Sequence, residues 1–323
     1  MRAERASTRK PVEFFCVGAQ KAGTTTMHDT LVRHAQIYLP EQKETKFFAD
    51  DSLYSKGIDY YERAYFSGGR DAQILGEVDP EYLYFPYVAD RIHRYNRHAK
   101  IIVLLRNPID RAYSHYLMSV SRGFETLPFA EALRAEAVRT SRDYFSDVHF
   151  SYASRGLYHA QVSRFIRLFG AERVRCFLME DLAASFPETI SAVCEFLEVD
   201  GSPILSDCVR SNEAVRPRSV LLSGFLHRDH MLKRWVKSLV SPDGVVANAV
   251  RYVRRSNLVP AETPPMSAEA RQALQQAFRA DTERLCSLLD RDLGHWLDEA
   301  RDDATSRSTR RAEVRAYAMG GGV

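Results

Sequence analysis

The segment Gly18-Ala19-Gln20-Lys21-Ala22-Gly23-Thr24-Thr25-Thr26 combines two glycines, a lysine and three hydroxyls directly after the apolar run Phe14-Phe15-Cys16-Val17. A strand, a glycine-bounded loop and then a helix aim backbone N–H groups and a helix N-terminus at an anion. The Gly18-to-Gly23 spacing is that of the nucleotide-triphosphate loop GxxxxGK[ST], but position 24 is threonine and the lysine sits inside the loop at Lys21. A kinase or ATPase would lack its β/γ-phosphate lysine here, and no strand ends in an aspartate suited to hold magnesium. The bland alternative is an ordinary glycine turn between strand and helix.

A second candidate anion site follows the run Ile101–Leu105, in Arg106-Asn107-Pro108-Ile109-Asp110-Arg111-Ala112-Tyr113-Ser114-His115-Tyr116. Arg106 falls at the carboxyl end of a predicted central strand, where α/β sheets bind ligands. Ser114 lies about two helical turns on. A guanidinium and a hydroxyl converging there can hold a phosphate. Pairing of Arg106 with Asp110 is the structural alternative, and the nearby phosphate loop favours the ligand. Between the two sites lies Pro40-Glu41-Gln42-Lys43-Glu44-Thr45-Lys46-Phe47-Phe48, which without that context reads as a solvated charged turn.

The elements that must carry these residues are legible in outline. Phe14–Val17, Ile74-Leu75, Ile101–Leu105 and Val174–Met179 are apolar without alternation and read as buried parallel strands. Helices are predicted to begin near Thr24, Tyr87, Ile109, Leu157, Pro187 and Ser267, the last with Ser267 as N-cap and Leu274, Phe278, Leu285 and Leu288 near one face. Alternation of strands and helices predicts an α/β fold, a single domain whose central parallel sheet is flanked by helices around a P-loop-like nucleotide-binding core. The domain is expected over residues 12–300. Residues 1–11 and 301–323 are polar and expected to be disordered. Pro260–Pro265 reads as a loop.

Composition narrows the classes. The 323 residues hold 45 Lys and Arg against 42 Asp and Glu, a net charge of +3, too small for bulk nucleic-acid binding. Cys16, Cys176, Cys194, Cys208 and Cys286 are scattered, with no CxxC pair, which argues against a zinc site or disulfide framework and fits a reducing, cytoplasmic setting. No apolar stretch approaches the ~20 residues of a membrane helix. Between Arg216 and Arg255 a basic amphipathic stretch around Trp235 reads as a packed helix or an acceptor lid, and leaves peripheral membrane contact open.

Together, Gly18–Thr26 and Arg106–Tyr116 resemble the sulfotransferases that use 3′-phosphoadenosine 5′-phosphosulfate (PAPS), in the branch of heparan-type carbohydrate enzymes and their bacterial relatives. The likeness extends over Gly156-Leu157-Tyr158 and Val174–Val199. It covers residues 12–200 well and 263–298 loosely. It implies a P-loop-like fold and sulfuryl transfer from PAPS, releasing the bisphosphate PAP, to a small-molecule or carbohydrate hydroxyl with no metal required. Gly18, Gln20, Lys21, Ala22, Gly23, Thr24, Thr25 and Thr26 would then cradle the 5′ end of the nucleotide. Arg106 and Ser114 would take the 3′-phosphate, with Tyr158 near the nucleotide. Lys21 would meet charge developing on the leaving phosphate.

The charged turn resembles the family segment in which a glutamate, after a lysine and before two phenylalanines, takes the acceptor's proton. That glutamate maps onto Glu44, with Glu41 the less favoured choice. An aromatic pair that keeps water from a carboxylate suits a general base. Lys46 stands where the heparan-type enzymes have histidine. Val78, in Glu77-Val78-Asp79-Pro80-Glu81-Tyr82, stands where they have lysine, which argues against a heparan-type acceptor. Glu77, Asp79 and Glu81 would instead face the acceptor, and Tyr82, Tyr84 and Phe85 either wall its site or pack in the core. His28, His34 and His115 are weighed as bases because another branch uses histidine, and are read as surface or packing residues. Arg254 and Arg255 are candidates to close over the nucleotide. The competing readings are a P-loop nucleotide kinase and a non-catalytic nucleotide-binding module.

Overall fold

The fold is known from a computed structural model, which describes residues 10–69, 72–200 and 265–298, together with the backbone of 215–217 and 258–260. Residues 1–9 and 301–323, the stretch around Trp235, Cys208, Arg254 and Arg255 lie outside the described residues, whereas Lys10 is described and pairs with Glu13. In chain order the strands are β1 (Phe14–Gly18), β2 (Ile37–Tyr38), β3 (Ile74–Val78), β4 (Lys100–Leu105) and β5 (Val174–Leu178), with a short antiparallel pair β6 (Val215–Pro217) and β7 (Leu258–Pro260). Pro260, expected in a loop, therefore ends a strand.

The five main strands form one sheet in the order β2-β3-β1-β4-β5, and every pairing is parallel. All five residues of β1 are buried, as are Ile101–Leu105 of β4, which requires cover on both faces and explains their unbroken apolar runs. After β1 the chain builds β2 and β3 on one side, then crosses to β4 on the other. The β1–β4 junction is thus the place where the winding changes direction and where such sheets open a crevice at the strands' carboxyl ends.

The predicted helices appear as α1 (Thr24–Leu31), α4 (Pro86–Tyr95), α5 (Pro108–Ser121), α8 (Tyr158–Phe169), α10 (Phe186–Leu197) and α11 (Ala268–Leu289). The Ser267 hydroxyl accepts from the Ala270 N–H at 3.2 Å, the expected N-cap. Additional helices are α2 (Asp51–Tyr54), α3 (Ile58–Tyr65), α6 (Phe129–Thr140), α7 (Tyr144–Phe150) and α9 (Met179–Ala184). A second apolar cluster joins α5, α6 and α11 around Ile109, Phe129, Tyr152 and Phe278, beside the core on the sheet. No helix among the described residues is long and apolar enough to cross a membrane.

β3 runs three residues past the apolar pair that announced it. Gly76 belongs there because a Cβ would stand 2.0 Å from the Phe14 ring. Glu77 is tolerated, fully buried, because Thr45, Tyr61 and Tyr82 all donate hydroxyl hydrogen bonds to it, those from Tyr61 and Tyr82 at 2.5 and 3.0 Å.

Candidate active site

β1 delivers the phosphate loop to the switch point. Gly18 cannot carry a side chain, since a Cβ would lie 2.7 Å from that of Leu83. Gly23, at φ 94°, is the N-cap of α1 in the left-handed region that glycine enters without strain. A glycine there leaves the first turn of α1 with no side-chain cap, so its N–H groups are open to an anion. Thr24 is buried under the loop, while the Thr25 hydroxyl accepts from Lys43 Nζ at 3.0 Å. Ala22 is fully buried and Gln20 nearly so.

β4 delivers Arg106 to the same place. Its guanidinium donates to the Lys21 carbonyl at 3.1 Å, and its own carbonyl accepts from the Tyr158 hydroxyl at 3.0 Å. The two motifs and the Gly156–Tyr158 segment are therefore in direct contact. Asn107 caps α5 through its side chain, accepting from the Ile109 and Asp110 N–H groups, and Pro108 fills the first helical position. Ser114 is half-buried on α5.

The turn after Pro40 completes the site. Lys43 Nζ bridges the Thr25 hydroxyl and Glu44 Oε1, at 3.0 and 2.9 Å, so Glu44 stands one lysine away from the loop. Five described non-glycine residues have positive φ, and Lys21, Glu44 and Lys46 are three of them. Such conformations cost about 1–2 kcal/mol per residue and concentrate where geometry serves function. The Lys46 N–H is held by Asp79 Oδ2 at 2.7 Å, which anchors the turn from below.

Cations dominate the electrostatics. Burial, then the charges of Arg122 and Arg106, push the Lys21 ammonium down to about 8, with Lys43 adding to the fall and Glu44 opposing it. Arg122 was not anticipated from sequence. It closes α5 sixteen residues beyond Arg106, and only the length and direction of that helix bring it to bear on Lys21. Arg155, just before Gly156, was also missed.

Several expectations are corrected. Phe47 and Phe48 do not shield Glu44. Both are fully buried, Phe47 stacked on Tyr61 at 4.5 Å and Phe48 edge-on to Phe15 and Tyr82, so the aromatic pair anchors the turn in the core. Glu77, Asp79 and Glu81 do not face an acceptor. All three are buried, Glu77 among hydroxyls, Asp79 under the Lys46 and Glu81 N–H groups, and Glu81 paired with Arg155 at 2.6 Å. Burial and the neighbouring carboxylates hold Asp79 well above the usual carboxylate range. Tyr82 and Phe85 are core residues, and Tyr84 turns its hydroxyl to Asp147 at 2.8 Å.

His115 is fully buried against Tyr152, and burial with the cations around it keeps the ring well below its ordinary range. His28 pairs with Asp29 and His34 with the Asp200 carbonyl. Cys16, within β1, is fully buried, and burial pushes its thiol up to about 12. Among the described residues no group of three His, Cys, Asp or Glu is placed to hold a metal ion.

A sequence profile of the sulfotransferase domain matches residues 11–216, more than half of the chain. The chain belongs to the sulfotransferase domain family. The chain superposes on a crystal structure of a sulfotransferase from Alicyclobacillus acidocaldarius with a TM-score of 0.65 and 28% identity, over 90% of this chain and 100% of that one. It is 29% identical over 181 residues to human heparan sulfate glucosamine 3-O-sulfotransferase 6, covering 56% of this chain and 50% of that protein. It is 32% identical over 127 residues to the membrane-associated sulfotransferase kil1 of Dictyostelium discoideum, covering 36% of this chain and 26% of that protein. The chain thus spans half or less of the length of these curated relatives.

Proposed function

We propose that this sulfotransferase transfers the sulfuryl group of PAPS to a hydroxyl of a carbohydrate or small-molecule acceptor. The observation that carries this reading is the convergence of Lys21, Arg106 and the Lys43–Glu44 pair at the β1–β4 switch point. The uncapped start of α1 and the loop N–H groups suit the 5′-phosphosulfate, and Arg106 with Ser114 the 3′-phosphate. Glu44 takes the acceptor hydroxyl's proton as that oxygen attacks sulfur. The bond from sulfur to the bridging phosphate oxygen breaks in line, and its electron pair stays on the phosphate. Lys21 meets the negative charge appearing on that oxygen, stabilisation applied where charge develops.

In this reading the lysines and arginines around the loop neutralise the donor, and no metal is needed. The missing lysine at position 24 disfavours a kinase, and a carboxylate beside the loop is superfluous in a purely binding module. The described cysteines Cys16, Cys176, Cys194 and Cys286 are unpaired, which supports a reducing, cytoplasmic setting as part of the same proposal.

Calorimetric titration with PAP in EDTA, against ATP and against Arg106→Ala, tests the donor site. Metal-free PAP binding that Arg106→Ala abolishes, with ATP weak, is the expected result. Absent PAP binding, or tight magnesium-dependent ATP binding, returns the loop to the kinase class.

A further inference from the structure

Gln20 and Lys21 are adjacent in the phosphate loop, and each is tied to the rest of the site by a different route. On one side, Arg106 donates to the Lys21 carbonyl at 3.1 Å and Tyr158 donates to the Arg106 carbonyl at 3.0 Å. On the other, Gln20 Nε2 donates to Glu81 Oε1 at 3.1 Å, and Glu81 Oε2 accepts from Arg155 at 2.6 Å. Arg155 and Tyr158 belong to one continuous turn, the 3₁₀ segment Ser154–Gly156 leading into α8. The two routes therefore close into a ring that runs from the loop through Glu81 and Arg155 to Tyr158, and back through Arg106.

The Glu81 side of this ring is buried and held at several points. Both ion-pair side chains are only 2% exposed. Glu81 is set by its own N–H, which donates to Asp79 Oδ1 at 3.1 Å. Arg155 is set by donation of Nε to the Ser151 hydroxyl at 2.7 Å and by its guanidinium lying 4.4 Å from the Tyr84 ring centre. A carboxylate can only accept, so Glu81 dictates which end of the Gln20 amide faces it. A buried ion pair contributes little net stability compared with apolar packing of the same volume, but it holds a geometry.

We infer that Glu81, through Arg155, is a positioning residue for the donor site, locking the phosphate loop against the segment that carries Tyr158. The inference rests on the donor reading given above. Binding energy at such sites depends on placement within a fraction of an ångström, and a residue that fixes the loop acts on donor affinity without touching donor.

Two variants test it by calorimetric titration of PAP, with thermal melts and amide hydrogen exchange of residues 18–26. Glu81→Gln removes the charge and spoils one of the two acceptor contacts. The double variant Glu81→Leu with Arg155→Met replaces the ion pair by apolar groups, so the fold survives while the link to Gln20 is lost. The double variant carries the test where Glu81→Gln does not fold. A positioning role gives PAP dissociation constants raised by about tenfold or more and faster exchange in the loop, in a double variant that keeps the parent melting temperature. A PAP dissociation constant within about twofold of the parent in the double variant overturns the inference, because a role in folding alone leaves affinity unchanged. PAP binding absent from the parent protein itself is a different result and removes the donor reading and this inference together.

Discussion

Lys43 Nζ lies 2.9 Å from Glu44 Oε1 and 3.0 Å from the Thr25 hydroxyl, so the proposed base and the phosphate loop share one ammonium group. That contact gives Glu44 a fixed bearing on the loop. The side chain of Glu44 keeps about a third of its surface open, which leaves an oxygen accessible to an acceptor hydroxyl. A partly exposed ion pair of this kind contributes on the order of 1 kcal/mol to folding, so its geometry matters more than its strength.

Glu44→Gln follows as the sharpest test of the base. The amide keeps the shape and loses the ability to take a proton. Turnover with any acceptor that the parent sulfates is expected to fall about 10²–10⁴-fold, with PAP affinity within a few-fold of the parent. Full turnover in Glu44→Gln would remove Glu44 from the mechanism and direct attention to Glu41 on the same turn.

Lys21→Met separates charge stabilisation from folding. The substitution removes a half-buried ammonium crowded by Arg122 and Arg106, so the melting temperature is expected to hold or rise. The transfer rate is expected to fall about 10²–10³-fold, the usual loss when a group aimed at developing charge is deleted. A large loss of melting temperature with a normal rate would make Lys21 a structural residue.

How much of this was legible in the sequence depends on the reach of each contact. β1 and β4 announced themselves because burial on both faces removes polar residues from a strand. β3 was only half legible, since Glu77 reads as a strand end until Thr45, Tyr61 and Tyr82 are seen to enclose it. Lys21 and Arg106 stood out because loop and strand end are local patterns. Arg122 and the Glu81–Arg155 pair did not, because helix length and a contact between distant segments place them. The Phe47–Phe48 pair misled for a related reason: adjacency to Glu44 in sequence suggested shielding, whereas the backbone turns both rings into the core.

A buried pair beyond the phosphate loop gives a stability prediction. Glu125 is 1% exposed at its side chain and accepts from Arg139 at 2.7 Å, from the Tyr152 hydroxyl at 2.7 Å, and from the Thr126 and Leu127 N–H groups at 2.9 Å each. Arg139→Met leaves that carboxylate buried without its cation. The expected cost is about 3–5 kcal/mol, read as a lower urea midpoint, with PAP affinity unchanged in the folded fraction. A loss under about 1 kcal/mol would mean that the hydroxyl and N–H donors alone satisfy Glu125.

The Lys21 ammonium sets a pH dependence whose sign can be worked out. Burial and the Arg122 and Arg106 charges bring it down to about 8 in the free protein. A bound phosphate or phosphosulfate adds negative charge beside it and favours the protonated form, so the same group titrates higher in the complex. Below about pH 8 the lysine is charged in both states and contributes no slope. Above that value the free protein loses the proton first, so binding must take one up, and affinity falls by up to about tenfold per pH unit. The phosphate groups of PAP finish titrating near pH 6 and do not mask the effect. Calorimetry of PAP binding from about pH 7 to about pH 9, in buffers of different ionisation heat, counts the protons directly. Uptake that appears above about pH 8 in the parent and vanishes in Lys21→Met is the expected outcome. Affinity that stays level across that range would show that Lys21 does not face the bound anion, and would move the charge-stabilising role to Arg106 and Lys43.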